Sequence, residues 1–120
     1  VGLLAEEEVI RAEFGLEFCL TTPKIGLSDV DADAEARIAF SMVGAAAGQY
    51  LRDRLSAIPE MIIGTGWGRT LAHVSRSLSG VSAPKAKFFS LMGSLSSNSS
   101  FSPFEVVHAI AQATGAEGYV

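Results

Sequence analysis

Apolar positions recur along this chain with a helical period at its start, middle and end, broken by short runs that do not alternate. Leu3, Ile10 and Phe14 share one side of a helix predicted from Leu3 to about Phe14, with Gly15 as its stop. Leu16 to Thr21 reads as a strand that Pro23 ends. The acids and hydroxyl of 28–31 then cap a long helix running to about Leu55. Its apolar stripe is Phe40, Val43, Ala47, Leu51 and Leu55. Gly44, Ala45, Ala46, Ala47 and Gly48 leave that helix thin, so another element can approach closely.

Met61, Ile62 and Ile63 form a continuous apolar run ending at Gly64, the pattern of a strand buried on both faces of a parallel sheet. A helix from about Arg69 to Ser79 follows, with Leu71, Val74 and Leu78 as its core face and Gly80 as its end. Lys87 to Met92 reads as the next strand. A serine-rich loop leads to a last helix announced by a capping box of Ser102 and Glu105, with Pro103 at the first helical position. Phe101 is placed to staple onto Val106, and the helix ends near Thr114 at Gly115. Tyr119 and Val120 begin a further strand. Strands and helices thus alternate, which predicts a three-layer α/β/α domain with a mainly parallel sheet and helices on both faces.

Composition narrows the class. A chain of 120 residues makes one domain, and at 48% hydrophobic and 18% charged it builds a core rather than a disordered tail. The net charge of -4 argues against a direct grip on nucleic acid. The single cysteine, Cys19, forms no internal disulfide, fits a reducing compartment and is expected as a small core residue. Glu6, Glu7 and Glu8 stand where a secretory leader would be positive. The uncharged stretch Ile38 to Leu51 is short of the roughly 20 residues that span a bilayer. A cytoplasmic protein is expected. Opening on Val1 and closing on Tyr119 and Val120 directly after a helix, the chain reads as a piece of something longer.

Open parallel sheets bind ligands beyond the carboxyl ends of their strands. After Ile63 the chain continues Gly64-Thr65-Gly66-Trp67-Gly68-Arg69-Thr70 into a helix. Glycines let backbone approach a ligand, the helix start offers unpaired N–H groups, and Arg69 and Thr70 add a cation and a hydroxyl; together these suit an anion, most simply a phosphate. The run is neither a dinucleotide fingerprint, which needs Gly where Arg69 stands, nor a P-loop. A plain strand-to-helix turn would use the same glycines, and Trp67 either stacks on a ligand or plugs the sheet end. From Met61 to Phe104 there is no Asp or Glu, while Arg69, Arg76, Lys85 and Lys87 give a local +4, which favours the anion. His73 and Arg76 are expected on a solvated face. A second strand-end loop begins Met92-Gly93-Ser94. The histidines and the cysteine have no metal-ligand spacing, and no cofactor is indicated.

The run from Ile62 to Leu71 resembles the signature of SorC/DeoR-type sugar-responsive transcriptional regulators, in their effector-binding domain. The opening helix through Phe14-Gly15-Leu16, the Phe89-Ser90-Leu91-Met92-Gly93 run and Ser102-Pro103-Phe104-Glu105-Val106-Val107 are similar in order and spacing. The resemblance implies a NagB/RpiA/CoA-transferase-like fold that senses a phosphorylated sugar or polyol and controls a helix-turn-helix DNA-binding domain placed before it. It puts the phosphate loop at Gly66, Trp67, Gly68, Arg69 and Thr70, and a second loop at Gly93 and Ser94. Ser94 stands where that family often has another glycine. The family's domain is about twice this length, and its later part adds contacts, including a lysine.

An enzyme of the same fold, a sugar-phosphate isomerase or a CoA transferase, is the competing expectation. It needs a carboxylate beside the substrate. None follows the two glycine loops in sequence: Glu60 precedes its strand and Glu105 is engaged as a cap. No turnover is therefore expected. Half a doubly wound sheet exposes apolar surface and favours a homo-oligomer. The loop from Ser94 to Phe101 is expected to order when ligand binds.

Overall fold

The computed structural model describes residues 4–23, 32–66, 68–92 and 103–119. In chain order the elements are α1 (Leu4–Phe14), α2 (Ala32–Ala57), β1 (Ile62–Thr65), α3 (Arg69–Ser77), β2 (Lys87–Ser90), α4 (Pro103–Thr114) and β3 (Glu117–Tyr119). Most boundaries fall within two residues of those expected. The cap residues of 28–31 and the Ser102 and Phe101 of the capping box and staple lie outside the described residues.

The strands form one parallel sheet in the order β1-β2-β3. Ile62, Ile63, Gly64 and Thr65 stand opposite Lys87, Phe88, Phe89 and Ser90, and Lys87 to Phe89 stand opposite Glu117 to Tyr119. Two successive right-handed crossovers in one direction put α3 and α4 on the same face of the sheet. Phe88 on that face is fully buried, and a Cβ on Gly118 would touch Val107 and Ala111 of α4. The core gathers there: Val74 of α3 and Leu78 just after it, Val106, Val107 and Ile110 of α4, Phe88 of β2, and Leu55 from the end of α2.

The opposite face carries no helix among the described residues. Ile62 (67%), Leu91 (64%), Tyr119 (50%) and Phe89 (36%) are exposed on it. Among the described residues, helical cover thus lies on one of the two faces.

Three readings are corrected. Leu16 to Thr21 forms no strand, because no strand among the described residues completes its ladder. The segment is held by side chains instead. Thr21 donates from its backbone N–H (2.8 Å) and its hydroxyl (3.1 Å) to Oε1 of the buried Glu7 in α1, and Phe18 stacks on Tyr50 of α2 at 4.8 Å. Cys19 is half-buried rather than core. The packing face of α2 is also rotated from the expected stripe: Val43 and Ala47 are exposed, while Gly44, Gly48 and Leu55 are buried. The close approach foreseen at those glycines is made by α3. A Cβ on Gly44 would stand 2.4 Å from His73 Cβ, and one on Gly48 1.7 Å from Ser77 Oγ. Arg52 donates to the Ser77 carbonyl at 3.1 Å one turn later.

Candidate functional site

β1 and β2 end side by side, Thr65 opposite Ser90, and the Leu91 N–H donates to the Thr65 carbonyl at 2.9 Å. Both glycine loops therefore leave adjacent strand ends. The first is half seen. Gly66 is half-buried, and a Cβ there would meet nothing within 4 Å among the described residues, which leave open space beside it. Gly68 caps α3 at φ 142 and ψ 170, a conformation essentially reserved for glycine. No side chain among the described residues caps the helix: the first helical hydrogen bond is from Ala72 N–H to the Gly68 carbonyl at 3.3 Å. The amides of Arg69, Thr70 and Leu71 sit in the first turn, where a helix has donors to spare and a partial positive charge. Thr70 is half-buried and Arg69 is exposed. Trp67, Gly93 and Ser94 lie outside the described residues, as does the serine loop expected to order on ligand.

The pooled positive charge of the acid-free stretch does not survive folding. Arg76 is seven residues along α3, roughly 10 Å from its start, and its guanidinium donates to Nδ1 of His73 at 3.2 Å. His73 is half-buried against α2 rather than solvated. Lys85 and Lys87 lie at the other end of the sheet, where they share a cavity of about 390 Å³ with Glu60 and Glu117. Arg69 alone of the four stands at the loop.

One group at this end escaped the sequence reading. Thr65, the last residue of β1, is 8% exposed, and its hydroxyl has no hydrogen-bond partner among the described residues. It faces the covered side of the sheet, as Ile63 does two residues earlier. The only hint was its place between an apolar run and the glycines. The neighbouring Ser90 hydroxyl is engaged locally: it donates to the Met92 carbonyl and accepts from Met92 N–H.

A cavity of about 700 Å³ lies between α1, residues 20–23 and α2, and one of about 500 Å³ beside α4 and β3; neither touches the glycine loop. Among the described residues no His, Cys, Asp or Glu cluster suits a metal, and no helix is long and apolar enough to cross a membrane.

Comparison with known proteins agrees with this architecture. Over 107 residues the chain is 32% identical to the erythritol catabolism regulatory protein EryD of Brucella abortus (strain 2308), covering 89% of this chain and 31% of that protein. The crystal structure of the full-length sorbitol operon regulator SorC from Klebsiella pneumoniae matches with a TM-score of 0.72 at 25% identity, over 96% of this chain and 35% of that one. The probable sor operon regulator from Shigella flexneri shares the fold, with a TM-score of 0.72 at 22% identity over 98% of this chain and 46% of that one. The chain thus spans about a third of the curated relative and under half of these two structures. The model of the Sugar-bind family, a sugar-binding domain, matches residues 1–120, and the chain belongs to that family.

Proposed function

We propose that this domain is the effector-sensing module of a transcriptional regulator, and that its effector is a sugar or polyol carrying a phosphoryl group. The observation that carries the reading is the uncapped start of α3 behind Gly68, at the carboxyl end of a parallel sheet, in a chain of a sugar-binding family. The first-turn amides hold the phosphoryl oxygens, with the Arg69 guanidinium and the Thr70 hydroxyl beside them. Gly66 leaves room for the rest of the ligand. The likeness to a regulator named for erythritol catabolism supports a small polyol or sugar as the class.

In the full-length protein, effector binding controls a helix-turn-helix domain that contacts DNA, and the regulator works in the cytoplasm as a homo-oligomer. The domain turns nothing over. The run from Met61 to Phe104 holds no acid, Glu105 is exposed in the first turn of α4, and the curated relative is a regulator.

Thr70→Asp tests the site by placing a negative charge where the anion sits. Calorimetric titration of the full-length protein with sugar and polyol phosphates is expected to show binding that this variant abolishes. Unchanged affinity rejects the site. NMR on the same mixtures is expected to show no isomer formed, and a rate lost on mutating a named acid rejects the regulator reading.

A further inference from the structure

Four polar residues are buried among the described residues: Glu7, Thr65, Ser75 and Thr114. Three are satisfied inside the protein. Glu7 accepts from Thr21, Ser75 donates to the Ala72 carbonyl at 2.7 Å, and Thr114 donates to the Ile110 carbonyl at 2.8 Å and accepts from Ala116 N–H at 3.3 Å. The Thr65 hydroxyl is the exception. A buried hydroxyl without a partner is unfavourable, and native proteins rarely leave one so. A valine would fill the same space and suit a strand end better. The threonine therefore calls for a partner beyond the described residues.

Its position says which partner. Thr65 stands three residues before the α3 cap, on the sheet face beneath α3 and α4, and the open space at Gly66 adjoins it. We infer that the Thr65 hydroxyl is a ligand-binding group, donating to an oxygen of the anion that the first turn of α3 holds. This rests on the site proposed above and adds to it a donor from below the helix. The amides approach the anion from one side, and the hydroxyl from the strand end approaches from another. An oxyanion accepts several such bonds at once, which a single neutral hydroxyl on a sugar does not.

The test is titration of the full-length protein with inorganic phosphate, together with melting curves taken without phosphate. Thr65→Val is expected to melt no lower than the parent, because it removes an orphaned polar atom, and to bind phosphate about tenfold more weakly. Thr65→Ser, which keeps the hydroxyl, is expected to stay within about threefold of the parent. If Thr65→Val leaves phosphate affinity unchanged while Thr70→Asp abolishes it, the site stands and the Thr65 inference is wrong. If neither variant changes affinity, or the parent binds no phosphate, the site reading fails and takes the inference with it. If Thr65→Val lowers both melting temperature and affinity, the serine variant decides: affinity kept by serine supports the hydroxyl, and affinity lost with serine overturns it.

Discussion

Gly68 is where a single residue most directly shapes the site. Its φ of 142 lies where a side chain clashes with its own backbone, yet a Cβ there would touch no neighbour within 4 Å. The strain of a substitution is thus conformational rather than steric crowding. Gly68→Ala is expected to cost about 1–3 kcal/mol if the backbone is held, or to turn the first amides of α3 away from the proposed anion position if it relaxes. Thermal melts and effector titration on one preparation separate the two outcomes: a lower melting temperature with affinity kept, or the reverse. The glycine spacing made this loop legible in the sequence, because only backbone freedom explains three glycines before a helix. The Thr65 hydroxyl was not legible, because hydrogen-bond satisfaction is a property of the folded neighbourhood. Nor was the fate of Lys85 and Lys87, which closeness in sequence grouped with Arg69 but which stand at the opposite end of the sheet, where β2 begins.

At the scale of elements, α2 is the wall against which α3 is positioned. Its contact runs through Gly44, Gly48 and Leu55, and α2 and α3 run the same way along it: Gly44 faces Thr70 and His73, Gly48 faces Val74 and Ser77. The Gly44 contact includes backbone, with the Thr70 carbonyl 3.0 Å from a Cβ built on Gly44. Backbone cannot step aside as a side chain can. Gly44→Ala is expected to destabilise by about 1–3 kcal/mol and also to weaken effector binding, because α3 must shift at the turn proposed to hold the ligand. Val43→Ala, on the exposed side of α2, is expected to change both within error. Denaturant unfolding and titration of the two variants check this. The small residues announced the close approach in advance, but the apolar spacing chose the wrong face, since periodicity counts side chains and this interface is built from their absence. The strand read at Leu16 to Thr21 failed for a related reason: a strand is a relation between two segments, and one segment's alternation says nothing of its partner.

For the whole molecule the uneven covering of the sheet dominates. One face is packed by α3 and α4, while Ile62, Phe89, Leu91 and Tyr119 stay exposed on the other. Among the described residues nothing covers these side chains, and apolar groups gathered on one sheet face exceed ordinary scatter. Residues 1–120 produced alone are expected to bind a hydrophobic dye, and Phe89→Gln with Leu91→Gln to reduce that binding without moving the melting temperature by more than a few degrees. Equal dye binding in the variant would place the apolar surface elsewhere, at α1 and residues 16–20, whose Leu4, Phe14, Phe18 and Leu20 are also exposed. The sequence predicted the alternation and the parallel sheet well, because each crossover carries its own helix between two apolar runs.

The strand order has a kinetic consequence. Each strand pairs with the next one in the chain, Ile62 with Lys87 and Lys87 with Glu117. Every pairing therefore closes a loop of only about thirty residues, and closure entropy grows slowly with loop length but must be met before any contact repays it. The sheet grows by adding strands at one end. Docking β2 on β1 is enough to set the ends of Thr65 and Ser90 side by side, so the strand ends beneath the proposed anion site are fixed by a pairing that does not involve β3.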